Sequence, residues 1–210
     1  MAKTLSELVN PANSAVIVVD MQNDFCHPEG SNAKAGTDVS AAMAMAPTLQ
    51  RLLDGARAVG TSVIFIQCIH TNETDSEAWI GRGNGRSLNT CREGTWGTEF
   101  YGVAPLEGEP VVIKHRYSAF INTRLDSVLR TLKIKNIILT GVGTNVCVES
   151  TARDGFMLDY NVVFTSDGTA AGSMDMHEST LTNIRRHFGT VVSCDEILDA
   201  WAAKPAAVGA

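Results

Sequence analysis

Short, continuous runs of β-branched and apolar residues recur along the chain at intervals too long for hairpins. Residues 15–19 (AVIVV), 62–66 (SVIFI), 111–113, 136–139 (NIIL), 161–164 (NVVF) and 191–193 each read as a buried strand. Their apolar character is unbroken, not alternating, as expected for strands covered on both faces. Stretches of helical periodicity lie between them. Residues 43–59 place Ala46, Leu49, Leu52, Leu53 and Ala56 on one side, and Gly60 follows as a stop. Residues 124–132 carry a stripe of Leu125, Val128, Leu129 and Leu132, and residues 146–160 one of Val148, Ala152, Phe156 and Tyr160. Residues 174–188 and 195–203 complete the set. Such alternation predicts a three-layer α/β/α domain around a central, mostly parallel six-stranded sheet, spanning 1–210 as one unit.

One segment breaks the rhythm. Between residues 68 and 110 few apolar positions are periodic, and Gly81, Gly83, Gly85, Gly94 and Gly97 accumulate. A loop of this length inside a compact domain usually shapes a binding site. Trp79 and Trp96 within it are candidates for a pocket wall.

Composition narrows the partners. The formal charge is -6, which disfavours nucleic acid. No apolar run approaches the ~20 residues that span a bilayer, so no membrane partner is expected. Residues 1–10 lack the layout of a signal peptide. Cysteines number 5, widely spaced and without a C-x-x-C pair, which suits free thiols in a reducing cytoplasm.

Ligands in open α/β sheets bind beyond the carboxyl ends of the strands. Asp20 (VVDMQNDF), Lys114 (VVIKHRYSAF) and Cys147 (TGVGTNVC) fall there. A helix N-terminus and an ammonium both favour thiolate, an aspartate can shuttle the proton, and main-chain N–H groups of the turn at 143–147 can meet an oxyanion. The combination suits acyl transfer from an amide-like carbon to water. Taken alone, each residue also has an ordinary structural explanation.

These motifs, AVIVVDMQNDF, the VIK segment through Phe120, and ILTGVGTNVCVESTARDGF, resemble the isochorismatase-like cysteine hydrolases. That family includes nicotinamidases and hydrolases of N-carbamoylsarcosine, biuret and ureidoacrylate. The resemblance implies Asp20 as general base and acid, Lys114 as the residue that orients it and lowers the thiol pKa, and Cys147 as nucleophile. It also implies a cis peptide at Val142–Gly143, with the amides of Gly143 and Cys147 as oxyanion donors. RYSAFINTRLDSVLR with TNVCVESTARDGF looks most like the ureidoacrylate branch, although the 68–97 loop departs from it, leaving biuret, triuret and other ureido or carbamoyl compounds open. The expected activity is metal-independent hydrolysis of a C–N bond through a covalent Cys147 intermediate, with no cofactor. A nicotinamidase-like or other small-amide hydrolase activity is the enzymatic alternative. However, His70 alone cannot supply the ligands of an open metal site. A ligand-binding or redox-sensing role is the non-enzymatic alternative. A homo-oligomer, dimer or tetramer, is expected from the family.

Around the site, Phe25, Gln67, Trp79, Trp96, Tyr117 and Phe120 are candidate substrate contacts. Asn145 is read as a helix cap, Arg153 and Asp154 as surface residues, and Cys26, Cys68, Cys91 and Cys194 as bystanders.

Overall fold

The computed structural model describes residues 3–82 and 85–203; Gly83 of the glycine-rich loop and both ends of the 1–210 span lie outside them. The apolar runs form β1 (Ser14–Val19), β2 (Ser62–Cys68), β3 (Val111–Lys114), β4 (Asn136–Val142), β5 (Asn161–Ala170) and β6 (Gly189–Val192). They make a six-stranded sheet in the order β3-β2-β1-β4-β5-β6, and every pairing is parallel. The helices are α1 (Leu5–Leu8), α2 (Asn23–Cys26), α3 (Ser31–Lys34), α4 (Ser40–Ala58), α5 (Glu77–Arg82), α6 (Leu125–Thr131), α7 (Glu149–Met157), α8 (Met174–His187) and α9 (Cys194–Ala202). None of them is long and apolar enough to cross a membrane.

Alternate residues of each strand feed two cores. Val16, Val18, Val63, Phe65 and Val163 pack against α4 and α9 on one face. Ala15, Ile17, Val19, Ile64 and Ile66 face α6, α7 and α8 on the other. The three layers follow directly, because a strand buried on both faces presents no polar side to water.

Two of the expected apolar stripes need correction. Phe156 is exposed and meets Phe188 edge-on, because Gly155 takes the inward position. A Cβ on Gly155 would lie 2.5 Å from Ile137 Cδ1, so the absence of a side chain is what lets α7 approach β4. Leu132 is also exposed, since α6 ends at Thr131, whereas Leu125 and Leu129 are buried as expected. The 68–110 segment is more structured than its sequence suggests, holding α5 and the 3-10 turns Arg86–Leu88 and Trp96–Thr98.

Candidate active site

The strand order reverses direction between β1 and β4, and crevices at such switch points receive ligands. Asp20 follows β1 there, in the left-handed region at φ 54. Its amide donates to Ile66 O at 3.1 Å, and its carbonyl accepts from the Gln22 amide at 2.8 Å. A short polar residue tolerates this conformation better than most. Lys114 closes β3 opposite Cys68 of β2, and its side chain is fully buried. Its Nζ lies 2.8 Å from Asp20 Oδ2, donates to Arg116 O at 2.9 Å and reaches Cys147 Sγ at 3.6 Å.

Cys147 sits in a π-helical turn, Thr144–Val148, that precedes α7. The Val148 amide reaches back to Gly143 O at 3.2 Å, and Thr151 Oγ1 donates to Cys147 O at 2.7 Å. Thr144 Oγ1 hydrogen-bonds His177 Nδ1 at 3.0 Å, which ties the turn to α8. The Val142–Gly143 peptide is cis. Asn145 makes no cap; it faces the cavity, and its Nδ2 contacts Met176 Sδ at 3.5 Å.

Burial governs the electrostatics. Desolvation lifts the Asp20 carboxyl to about 6 against the opposing pull of Lys114. Burial works against the Lys114 ammonium, yet the facing Asp20 and Cys147 hold it above the ordinary lysine value. Burial and then Asp20 drive the Cys147 thiol well above the ordinary cysteine value, although Lys114 pulls the other way. The net direction is opposite to the sequence expectation of a depressed thiol. Lys114 contributes the expected sign but is outweighed by desolvation. The site therefore rests as thiol, carboxylate and ammonium, and a proton must move to Asp20 as sulfur attacks.

The three side chains open on a cavity of about 460 Å³, the size of a small-molecule pocket. Phe25, Trp79 and Tyr117 line it, together with Gly143. Three other candidates do not. Gln67 Nε2 is committed to Thr98 O at 2.8 Å. Phe120 stacks on Tyr160 and packs into the core beneath α6 and α7. Trp96 is 45% exposed and packs edge-on against His27 on the outer side of the loop. Conversely, Cys68 is no bystander, for it lines the cavity with its Sγ 3.3 Å from His70 Nε2. Cys26 is buried in the core beside α4. Among the described residues no group of three or more His, Cys, Asp or Glu is arranged to hold a metal ion.

Sequence reasoning missed Gln22, Asn23 and Asp24, all buried. The Gln22 amide group donates to Cys68 O and Thr98 O at 2.9 and 3.0 Å and accepts from the Cys68 amide at 2.7 Å. Asn23 Nδ2 donates to Trp96 O at 3.0 Å. The Asp24 carboxylate accepts from the amides of Ser31 and Cys91 at 2.9 and 2.6 Å. These residues dock the long loop against the end of β1. The available signal was a polar triplet directly after a buried strand, since polar groups stay buried only when hydrogen-bonded.

An isochorismatase domain model matches residues 14–196. The chain belongs to the isochorismatase family. This isochorismatase-family chain is 39% identical to the ureidoacrylate amidohydrolase RutB of Stutzerimonas stutzeri, over 92% of its own length and 85% of that protein's. It superposes with a TM-score of 0.86 on a cysteine hydrolase from Pseudomonas syringae pv. phaseolicola, at 32% identity, covering 97% of this chain and 99% of the other. With the N-carbamoylsarcosine amidase of Thermoplasma acidophilum it shares 27% identity at a TM-score of 0.72, over 87% and 97% of the two chains.

Proposed function

We propose that this chain is a cysteine amidohydrolase that hydrolyses a C–N bond of a small ureido or carbamoyl compound, ureidoacrylate being the leading member of that class. The reading rests on one observation above the others. Lys114 Nζ lies 2.8 Å from Asp20 and 3.6 Å from Cys147 Sγ, on a cavity that also exposes Gly143. The relatives named as ureidoacrylate amidohydrolases and N-carbamoylsarcosine amidase support the same class of bond.

In this mechanism Cys147 Sγ adds to the ureido carbonyl carbon while its proton passes to Asp20. Lys114 keeps the carboxylate oriented, and the amides of Gly143 and Cys147 receive the oxyanion. Collapse breaks the C–N bond, and Asp20 returns its proton to the departing nitrogen. Water, deprotonated by Asp20, then adds to the carbamoyl carbon and breaks the C–S bond, the Asp20 proton returning to the Cys147 sulfur as carbamate leaves and decays to ammonia and carbon dioxide. Rapid quenching during turnover of ureidoacrylate is expected to reveal a carbamoyl mass on the Cys147 peptide together with ammonia release. Ammonia without that adduct in single turnover, or an adduct on another cysteine, contradicts the mechanism.

The pH profile carries its own prediction. Because Asp20 must be ionised to accept the thiol proton, kcat/KM is expected to fall about tenfold per pH unit below about 6. The fold should not fail with it through this group. A carboxyl whose folded pKa is raised favours the native state below its unfolded pKa, and that contribution is lost as pH rises through about 6. Activity titrated alongside circular dichroism checks the separation; a flat rate through pH 5 removes Asp20 as the base.

A further inference from the structure

We propose that Arg116 anchors a carboxylate on the substrate, so that the pocket is built for a ureido acid and discriminates against neutral ureido compounds. This rests on the amidohydrolase reading above and deepens it. The charge of the cavity wall is the first observation. A chain of formal charge -6 lines its cavity with Lys114, Arg86 and Arg116 against one carboxylate, Asp20. Asp20 is already paired with Lys114, and among the described residues no carboxylate lies within ion-pair distance of Arg116. A cationic pocket in an acidic protein attracts anions.

The set of the guanidinium is the second. Arg116 Nη1 donates to Thr74 O at 2.9 Å and to His115 O at 2.7 Å, which uses both of its hydrogens. The Arg116 Cζ lies 5.0 Å from the centroid of the Trp79 ring, so the plane is held from a third side. The edge formed by Nε and Nη2 has no protein partner among the described residues, and two parallel N–H groups of this kind match a carboxylate. Trp79, which also lines the cavity, has a buried Nε1 without a hydrogen-bond partner, a second candidate donor beside Arg116.

Position is the third. The Arg116 carbonyl accepts from Lys114 Nζ, which contacts the nucleophile, so the Arg116 main chain adjoins the reacting centre, and Arg116 lines the same cavity as Cys147. Arg86 fits the role less well. It is exposed, and its Nη2 is taken up by Asn32 Oδ1 at 3.1 Å and Thr37 Oγ1 at 2.7 Å, in water-screened surroundings.

The test compares ureidoacrylate with its methyl ester in wild type, Arg116→Met, Arg116→Lys and Arg86→Gln. Wild type should favour the acid. Arg116→Met should raise KM for the acid by about tenfold to hundredfold, the worth of a hydrogen bond to a charged group, with a much smaller loss in kcat/KM for the ester. Arg116→Lys keeps the charge but not the fork and should show an intermediate loss, and it serves if the methionine variant fails to fold. Equal losses for acid and ester would reduce Arg116 to a loop brace and overturn the proposal. So would a wild type that prefers the ester, or a selective loss in Arg86→Gln instead. Calorimetry of acid and ester binding to Cys147→Ala reads the same preference without turnover. If that variant prefers the acid through Arg116 while wild type hydrolyses neither compound, the hydrolase reading fails and the anion subsite stands.

Discussion

Cys147→Ala is expected to lower kcat for ureidoacrylate hydrolysis by at least about 10⁴-fold while leaving the fold and the binding of substrate in place. The reason lies in placement: the other cavity-lining thiol, Cys68, hydrogen-bonds His70 and belongs to β2, not to the turn that offers the Gly143 and Cys147 amides. Asp20 is clamped at 2.8 Å to Lys114, and the ammonium is held protonated by the two acids it faces. Losing one sulfur from a half-buried position removes a small volume, and the π turn around it is fixed by main-chain and Thr144–His177 contacts that do not involve sulfur. Stopped-flow ammonia release with a matched urea denaturation curve checks both halves. Residual turnover within tenfold of wild type would show that water attacks without a thioester-type intermediate, and the proposed chemistry would fall.

Gly141→Ala is expected to be the most damaging single methyl group that can be added to the sheet. Gly141 pairs with Val19 across β1 and β4 at φ 99, and a Cβ there would lie 2.0 Å from Val19 O and 2.7 Å from Val19 N. Neither neighbour is the flexible end of a side chain. The two central strands would have to part at the point where β1 delivers Asp20 and β4 delivers Gly143. The expected cost is on the order of 3–5 kcal/mol, a large share of the ~5–15 kcal/mol that stabilises a domain. Gly36→Ala is the control. It has a similar φ of 85 but nothing within 4 Å of its Cβ, so it carries only the conformational penalty of about 1–2 kcal/mol. Equal denaturation midpoints for the two variants would show that the sheet relaxes freely around position 141.

The contrast between what could and could not be read in the chain follows from the same physics. Unbroken apolar runs located all the strands, because burial on both faces leaves no other composition available. For β4 and β5 the same rule set the ends too early. β4 continues through Thr140 and Gly141, and β5 through Thr165 to Ala170, with Thr140 Oγ1 donating to Ile17 O and Thr165 Oγ1 to Leu139 O, each at 2.9 Å. A threonine that satisfies itself on a neighbouring strand is invisible to a hydrophobicity pattern. Asp20, Lys114 and Cys147 were legible because strand ends are fixed by topology. Gln67, Trp96 and Phe120 were not, because a strand end or loop position does not say which way a side chain turns. The thiol shift was misjudged for a related reason: nearby charge can be counted in a sequence, whereas depth of burial cannot.

The docking of the long loop has a consequence for how such a protein diversifies. Among the described residues of the 68–101 stretch, every atom that Gln22, Asn23 and Asp24 hydrogen-bond belongs to the backbone, apart from the Cys91 sulfur. The amino-acid identities along that stretch are therefore largely unconstrained by these hydrogen bonds, Gly97 excepted, where a Cβ would meet Asp24 Oδ2 at 2.0 Å, while Phe100 fixes the far end through its ring contact with Phe65. Mutational drift can exchange the groups that meet a substrate while the hinge points stay where they are. One hydrolytic apparatus can in this way be retuned to new small molecules without rebuilding its scaffold.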